Sequence, residues 1–367
     1  MHPSVGMLSL SVQYPRHVVT NDEIRSRSPA LVADAEHRSM ARLWSGRAED
    51  TGPPDAWGAA MRPHLQDPFR GAVERRHLRD GESSLALELA AAREAMARRG
   101  VAPEAIDLVI AVSFLPDQIS PGNSAFVCRE LGLRAAAFNL ETACSGSLVA
   151  FQTACALVQA GKYRTILVVV SCDNSRRSDP GDTLGWFLGD GAAAFIVGEV
   201  PAGEGLLAQA ARHTGSLCDT FRYSLEVDPD GAPRLWMRAN PSAGSMLTRL
   251  QDGFILDVTR ECLARAGLRP ADIRLFVHNT PTAWFHRYFA ALLDVDPART
   301  VSAYSWVGNI GPVLIPSNLH FAAARGRLVP GDLVLLYAIG TVSSTAAAVV
   351  RWGDVTLGID PLAGSAS

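Results

Sequence analysis

The chain has 367 residues, 48% of them hydrophobic, with 34 basic and 37 acidic side chains and a formal charge of −3. That apolar content excludes a disordered chain, and the balanced charge argues against a nucleic-acid partner. Lys162 is the one lysine among 33 arginines, so Schiff-base lysine chemistry and a phosphate-loop lysine are nearly excluded. The six cysteines (Cys128, Cys144, Cys155, Cys172, Cys218, Cys262) form no CxxC pair. Such scatter argues against a zinc cluster or a disulfide framework and suits a reducing compartment. Met1–Ser4 lacks a charged-then-apolar leader, and the longest apolar runs, Ile166–Val170 and Leu333–Ile339, are only strand length. The expectation is a cytoplasmic α/β protein with neither metal nor membrane partner.

In chain order, Leu85–Arg99 is rich in Ala, Leu and Glu and stops at Gly100, which predicts a helix. Leu108–Ser113 reads as a buried strand. Ser147–Ala160 is apolar all round, so it predicts a helix buried on every side, stopped by Gly161. Ile166–Ser171 is a central strand, and Ala192–Val197 another after a Gly189–Gly191 turn. The second half repeats this order with strands at Ile273–Val277, Leu333–Ala338 and Ser344–Val350 and a helix at Ile315–Ala324. A shift of 165 puts Gly161 on Gly326 and Cys144-Ser145-Gly146 on Asn309-Ile310-Gly311. Two duplicated α/β halves follow, residues 1–200 and 201–367. A Pro- and Trp-bearing stretch at about 33–71 reads as a lid-like insertion, and residues near 201–245 read as the connection.

Three residues stand out chemically. Cys144 lies where an extended run enters the all-apolar helix, so unpaired N–H groups and the helix dipole should stabilise its thiolate. The bland alternative, a buried structural cysteine, fits Cys155, Cys172 and Cys262 best. His278 ends the Leu275–Val277 strand, the place where α/β folds put reactive groups, although a half-buried packing histidine has the same signature. Asn309 occupies the pseudo-symmetric equivalent of Cys144, and a helix cap is its alternative explanation. The duplication should bring Cys144 and Asn309 together.

With these motifs in view, the chain resembles the thiolase-fold condensing enzymes, and among them the ketoacyl synthase III group. The match runs from Ser9–Asn21 through ACSGS and GDGAAAF to VHNTP, VGNIGP and GDLVLLYAIG. The resemblance implies a five-layered αβαβα fold, a homodimer, and a Cys-His-Asn set at Cys144, His278 and Asn309. It implies no resident cofactor, with coenzyme A or acyl-carrier-protein thioesters as substrates. An oxyanion hole would use the backbone N–H of Cys144 and one near Gly340. Arg70, opening FRGAVERRHL, would lie near the CoA adenine, and Arg75, Arg76 and Arg79 would meet phosphates or form a solvated basic turn. The family's tryptophan-bearing CoA-contact segment has no clear match, the 33–71 stretch replacing it, and Trp44 or Trp57 is the candidate there to stack on the adenine. Ser120 falls where a bulky aromatic is common in the loop lining the partner subunit's acyl pocket, which implies a wider acyl tunnel. Pro281 and Ala283 depart from the histidine motif, which puts carrier-protein docking there in doubt.

The full set at Cys144, His278 and Asn309 points first to decarboxylative Claisen condensation in specialised metabolism. A second possibility is acyl transfer from Cys144 to a hydroxyl or amine, with His278 as general base. A third is a non-catalytic partner subunit of a condensing enzyme.

Overall fold

The computed structural model describes residues 2–37, 56–64, 67–69, 71–341 and 343–364. The strands in chain order are β1 (Val5–Gln13), β2 (His17–Thr20), β3 (Glu74–His77), β4 (Leu108–Phe114), β5 (Ala136–Asn139), β6 (Ile166–Asp173) and β7 (Asp190–Glu199). There follow β8 (Gly205–His213), β9 (Phe221–Val227), β10 (Pro233–Ala239), β11 (Leu275–His278), β12 (Thr300–Val301), β13 (Leu333–Gly340), β14 (Ser344–Arg351) and β15 (Thr356–Leu357). Two large sheets form, ordered β15-β1-β7-β6-β4-β5 and β12-β11-β13-β14-β8, beside two-stranded β2-β3 and β10-β9. Read from β5 and from β12, the first five strands follow the same order, with β15 added to the first sheet. In each, the first two pairs are parallel (β5–β4 and β4–β6; β12–β11 and β11–β13) and the next two antiparallel, and β15 lies parallel to β1 at the edge.

The buried runs dictate the layering. β6 and the first nine residues of β7 are buried at every position, as expected for strands covered on both faces. The helices Gly146–Gln159 and Leu314–Ala324 lie between the sheets, and one continuous apolar core joins them to both. The Ser84–Arg99 helix covers the outer face of the first sheet against β1 and β7, started by Ser83 and stopped by Gly100 at φ 72°. The helices Ala243–Ala266 and Phe285–Leu292 cover the second sheet, giving the αβαβα stack.

Two expectations change. The 201–245 stretch contains β8, the fifth strand of the second sheet, and the β9–β10 hairpin, so it is more than a connection. Gly205 and the polar residues of β8 hide its strand pattern. The Gly189–Gly191 stretch is also no turn, because β7 already begins at Asp190. The buried Asp190 carboxylate accepts from Leu78 N (2.7 Å) and Ser175 N (2.8 Å), which lets an acidic residue sit at a strand start.

Candidate active site

Cys144 lies in the turn Ala143–Ser145 that leads into the Gly146–Gln159 helix. Its neighbour Ala143 has φ 51°, and facing Thr341 has φ 42°. Two left-handed non-glycine residues beside one thiol are strain of the kind that accumulates at reactive centres. Gly340 allows the approach: a Cβ there would lie 2.7 Å from the Thr142 carbonyl and 2.9 Å from Ser145 N. The end of β13 thereby reaches the turn, and the Thr341 N–H is directed at the Cys144 sulfur. Gly340 serves this close packing, and the backbone N–H groups directed at the sulfur are those of Thr341 and of Cys144 itself.

Burial pushes the Cys144 thiol up to about 11, against the lowering effect of the Thr341 N–H. Burial therefore favours the thiol over the expected resting thiolate, against the N–H groups directed at the sulfur. A Cβ at Gly311 would lie 3.2 Å from the sulfur of Cys172 and 3.7 Å from that of Cys144, so Cys172 borders the same spot from within the core.

Asn309 is clamped by backbone contacts from the first half. Its N–H donates to the Phe187 carbonyl (2.8 Å), and its carbonyl accepts from Gly189 N (3.1 Å) and Asn174 Nδ2 (3.2 Å). Gly189 must be glycine, since a Cβ would stand 2.0 Å from the Val307 carbonyl. The Asn309 side-chain Oδ1 accepts from Gly311 N (3.0 Å), while Nδ2 makes no hydrogen bond to the described residues. Capping and an available donor coexist in one amide.

His278 is not part of this arrangement. Along β11, Leu275 and Val277 face the central core, whereas Phe276 and His278 face the outer layer. The imidazole is fully buried with its centroid 4.9 Å from Phe289 and 5.4 Å from Phe285. Neither ring nitrogen has a partner in hydrogen-bond geometry among the described residues. Burial pushes its pKa down to about 3, so the ring is neutral at ordinary pH. The expected catalytic histidine is corrected by strand parity: the residue on the cavity side is Asn279. Its amide is held by the backbone of Ile339, donating from Nδ2 to the carbonyl (2.7 Å) and accepting at Oδ1 from the N–H (3.0 Å).

Cys144, Asn279 and Asn309 all border one cavity of about 140 Å³. Its remaining wall is largely apolar, and it contains no His, Asp, Glu, Lys or Arg among the described residues. The β9–β10 hairpin supplies Phe221, Tyr223 and Met237 to it. Tyr223 donates to Asn174 Oδ1 (3.0 Å), which links the hairpin to the Asn309 clamp. The alternation Phe221-Arg222-Tyr223-Ser224-Leu225-Glu226-Val227, running into Asp228-Pro229-Asp230-Gly231, is the sequence signal that marks this hairpin.

The expected nucleotide contacts fare differently. Trp44 and Arg70 lie outside the described residues. Trp57 is buried, packed edge-on against Tyr288 (4.8 Å) and Trp284 (6.1 Å), so it forms a wall of the cavity and offers no open face to adenine. Arg75 is fully buried, donating to Asn21 Oδ1 (2.7 Å) and the Val19 carbonyl (3.3 Å), and is closed to a phosphate. Arg76 lies 3.8 Å from Glu74, and Arg79 contacts His17. Ser120 is exposed beside Ile119 and does not border this chain's cavity.

The sequence relationships agree with this architecture. Residues 138–215 match the profile of 3-oxoacyl-[acyl-carrier-protein] synthase III, and residues 263–352 match that of its C-terminal part. The chain is 34% identical over 296 residues to β-ketoacyl-[acyl-carrier-protein] synthase III of Rhodospirillum centenum, covering 77% of this chain and 88% of the relative. It belongs to the synthase III family. The enzyme of the same name from Brucella abortus is 31% identical over 288 residues, covering 77% of this chain and 89% of the relative. Among solved structures, the synthase III of Thermus thermophilus superposes with a TM-score of 0.77 at 27% identity, covering 95% and 99% of the two chains. The priming β-ketosynthase of the R1128 polyketide pathway shares the fold, with a TM-score of 0.78 at 23% identity over 96% and 97% of the chains.

Proposed function

We propose that this protein is an acyltransferase that loads an acyl group on Cys144 and condenses it with a malonyl-type thioester. Cys144 exchanges its thiol proton for the acyl group of a CoA or carrier-protein thioester, releasing the free thiol. The second thioester then loses carbon dioxide, and the electron pair of the broken C–C bond forms an enolate. Its carbon attacks the acyl carbonyl, and Cys144 leaves as thiolate and regains a proton from solvent. Asn309 Nδ2 donates to the enolate oxygen, Asn279 flanks it, and the Thr341 N–H faces the sulfur.

The observation that carries this reading is a Cys–Asn–Asn cavity without a basic side chain among the described residues. Decarboxylation generates the carbon nucleophile without proton abstraction, so neutral donors suffice. Acyl transfer to a hydroxyl or amine needs a base at the acceptor, and His278 is buried away from the cavity. The reading includes a homodimer in the cytoplasm serving specialised metabolism, with thioesters as substrates and no resident cofactor.

The test is incubation with acyl-CoA, with and without malonyl-CoA. Carbon dioxide release with a C–C product supports condensation; acyl esters or amides formed without malonyl-CoA would replace it with transfer. Intact mass spectrometry separates both from the non-catalytic partner, because acylation must appear on wild type and vanish in Cys144→Ala.

A further inference from the structure

We propose, resting on the acyl-loading reading above, that the group carried on Cys144 is a single aromatic ring of benzoyl size. Three observations point there. The cavity holds about 140 Å³, close to the roughly 150 Å³ apolar cavity that accommodates benzene in another protein. Six aromatic side chains border it: Trp57, Phe114, Phe187, Phe221, Tyr223 and Phe285. A thioester would be held by Cys144, Asn309 and Thr341, and apart from Asn174, Asn279 and Thr282 the rest of the wall is apolar or aromatic and open to a ring.

The walls are braced against yielding to a longer chain. Trp57 is packed on Tyr288 and Trp284, and Phe285 lies between Tyr288 (5.9 Å) and the buried His278 ring (5.4 Å). Phe114 and Tyr223 meet edge to face with centroids 5.6 Å apart, a geometry that a substrate ring can extend. A flexible eight-carbon chain would lose its rotamer freedom in this space, and a methyl group would leave it largely unfilled.

Of the six aromatics, Phe221 and Tyr223 are on the hairpin outside the two large sheets; Tyr223 is tied to Asn174, whereas Phe221 is not, and Met237 borders the cavity from the opposing strand. Phe221 and Met237 are the specificity-determining positions that can be truncated with least disturbance of the fold. The experiment measures initial rates of Cys144 acylation by intact mass, using benzoyl-, acetyl-, isobutyryl- and octanoyl-CoA. Benzoyl-CoA should exceed acetyl-CoA by about 100-fold and octanoyl-CoA by about 10-fold, the range a hydrophobic pocket can discriminate. Phe221→Ala or Met237→Ala should raise the octanoyl-to-benzoyl ratio about 10-fold. Acylation that favours acetyl-, isobutyryl- or octanoyl-CoA overturns this inference and leaves the loading reading intact. A benzoyl preference unchanged in both variants removes the cavity as its source. No acylation by any of the donors, with Cys144→Ala indistinguishable from wild type, overturns the loading reading itself.

Discussion

Replacing His278 by leucine separates a packing histidine from a catalytic one. The ring is fully buried, and neither nitrogen has a described partner in hydrogen-bond geometry. Leaving a buried polar group unpaired costs about 1–3 kcal/mol, which leucine relieves. The substitution also loses two aromatic contacts, to Phe289 and Phe285, each worth about 0.5–1.5 kcal/mol. These effects largely cancel, so His278→Leu should lie within about 2 kcal/mol of wild type at pH 7.5. The pH dependence is sharper. The folded imidazole has its pKa pushed down to about 3, whereas an unfolded histidine titrates near 6.5. Below about 6.5 the unfolded state therefore binds a proton that the folded state refuses. The stability associated with this group is fully present above 6.5 and is lost as pH falls toward 3. The slope is about 1.4 kcal/mol per pH unit, so the leucine variant should gain about 2 kcal/mol on wild type between pH 6.5 and 5. Urea denaturation across this range measures the difference, and Cys144 acylation and condensation are assayed in parallel at pH 7.5. Both activities should stay within about threefold of wild type. A loss of 100-fold or more in a stably folded His278→Leu protein, or a stability difference independent of pH, would refute the placement of this ring.

Alkylation of Cys144 by iodoacetamide should accelerate about tenfold per pH unit from pH 7 to 10, as expected for a thiol pushed up to about 11; a plateau below pH 8 in the mass-spectrometric rate contradicts it. Asn309→Ala should lower condensation by about 10²–10³-fold through loss of the enolate donor, with Cys144 acylation changed less than tenfold; equal losses in both steps would mean that the residue shapes the site only structurally. Gly189→Ala places a Cβ against the Val307 carbonyl and should destabilise the fold by about 1–3 kcal/mol or more while lowering condensation, and an unchanged denaturation midpoint would show that the loop yields. Asn279→Ala strips the Ile339 backbone of both amide partners and should cost about 2–4 kcal/mol, read from the same urea curves; a loss below about 0.5 kcal/mol would count against that clamp.

Much of the architecture was legible because burial on both faces forces continuous apolar runs. Ile166–Ser171, Leu333–Ala338 and the all-apolar helix before Gly161 each announce a central element, and their repeated order discloses the duplication. The pairing of Cys144 with Asn309 follows from that repeat, since equivalent helix starts meet across a pseudo-twofold arrangement. The hairpin at 221–239 carries its own signal, Phe221, Tyr223, Leu225 and Val227 alternating with polar residues before Asp228-Pro229-Asp230-Gly231, but that alternation does not say which surface its apolar side chains meet. Yet Phe221, Tyr223 and Met237 from that hairpin shape the cavity.

The amino-acid order alone therefore determined the fold class, the doubled halves and the convergence of Cys144 with one asparagine, Asn309. These are encoded locally, in runs, glycine stops and helix starts. Which side chain at the end of β11 faces the Cys144 cavity was decided only by tertiary structure. Adjacent residues of a strand point to opposite faces, so His278 and Asn279 exchange roles by one position. The duplicated pattern places the strand end at the site without stating which face looks inward. Packing of Phe276 and His278 against the Phe285–Leu292 helix settles that orientation, and it places the amide of Asn279 where an imidazole was expected.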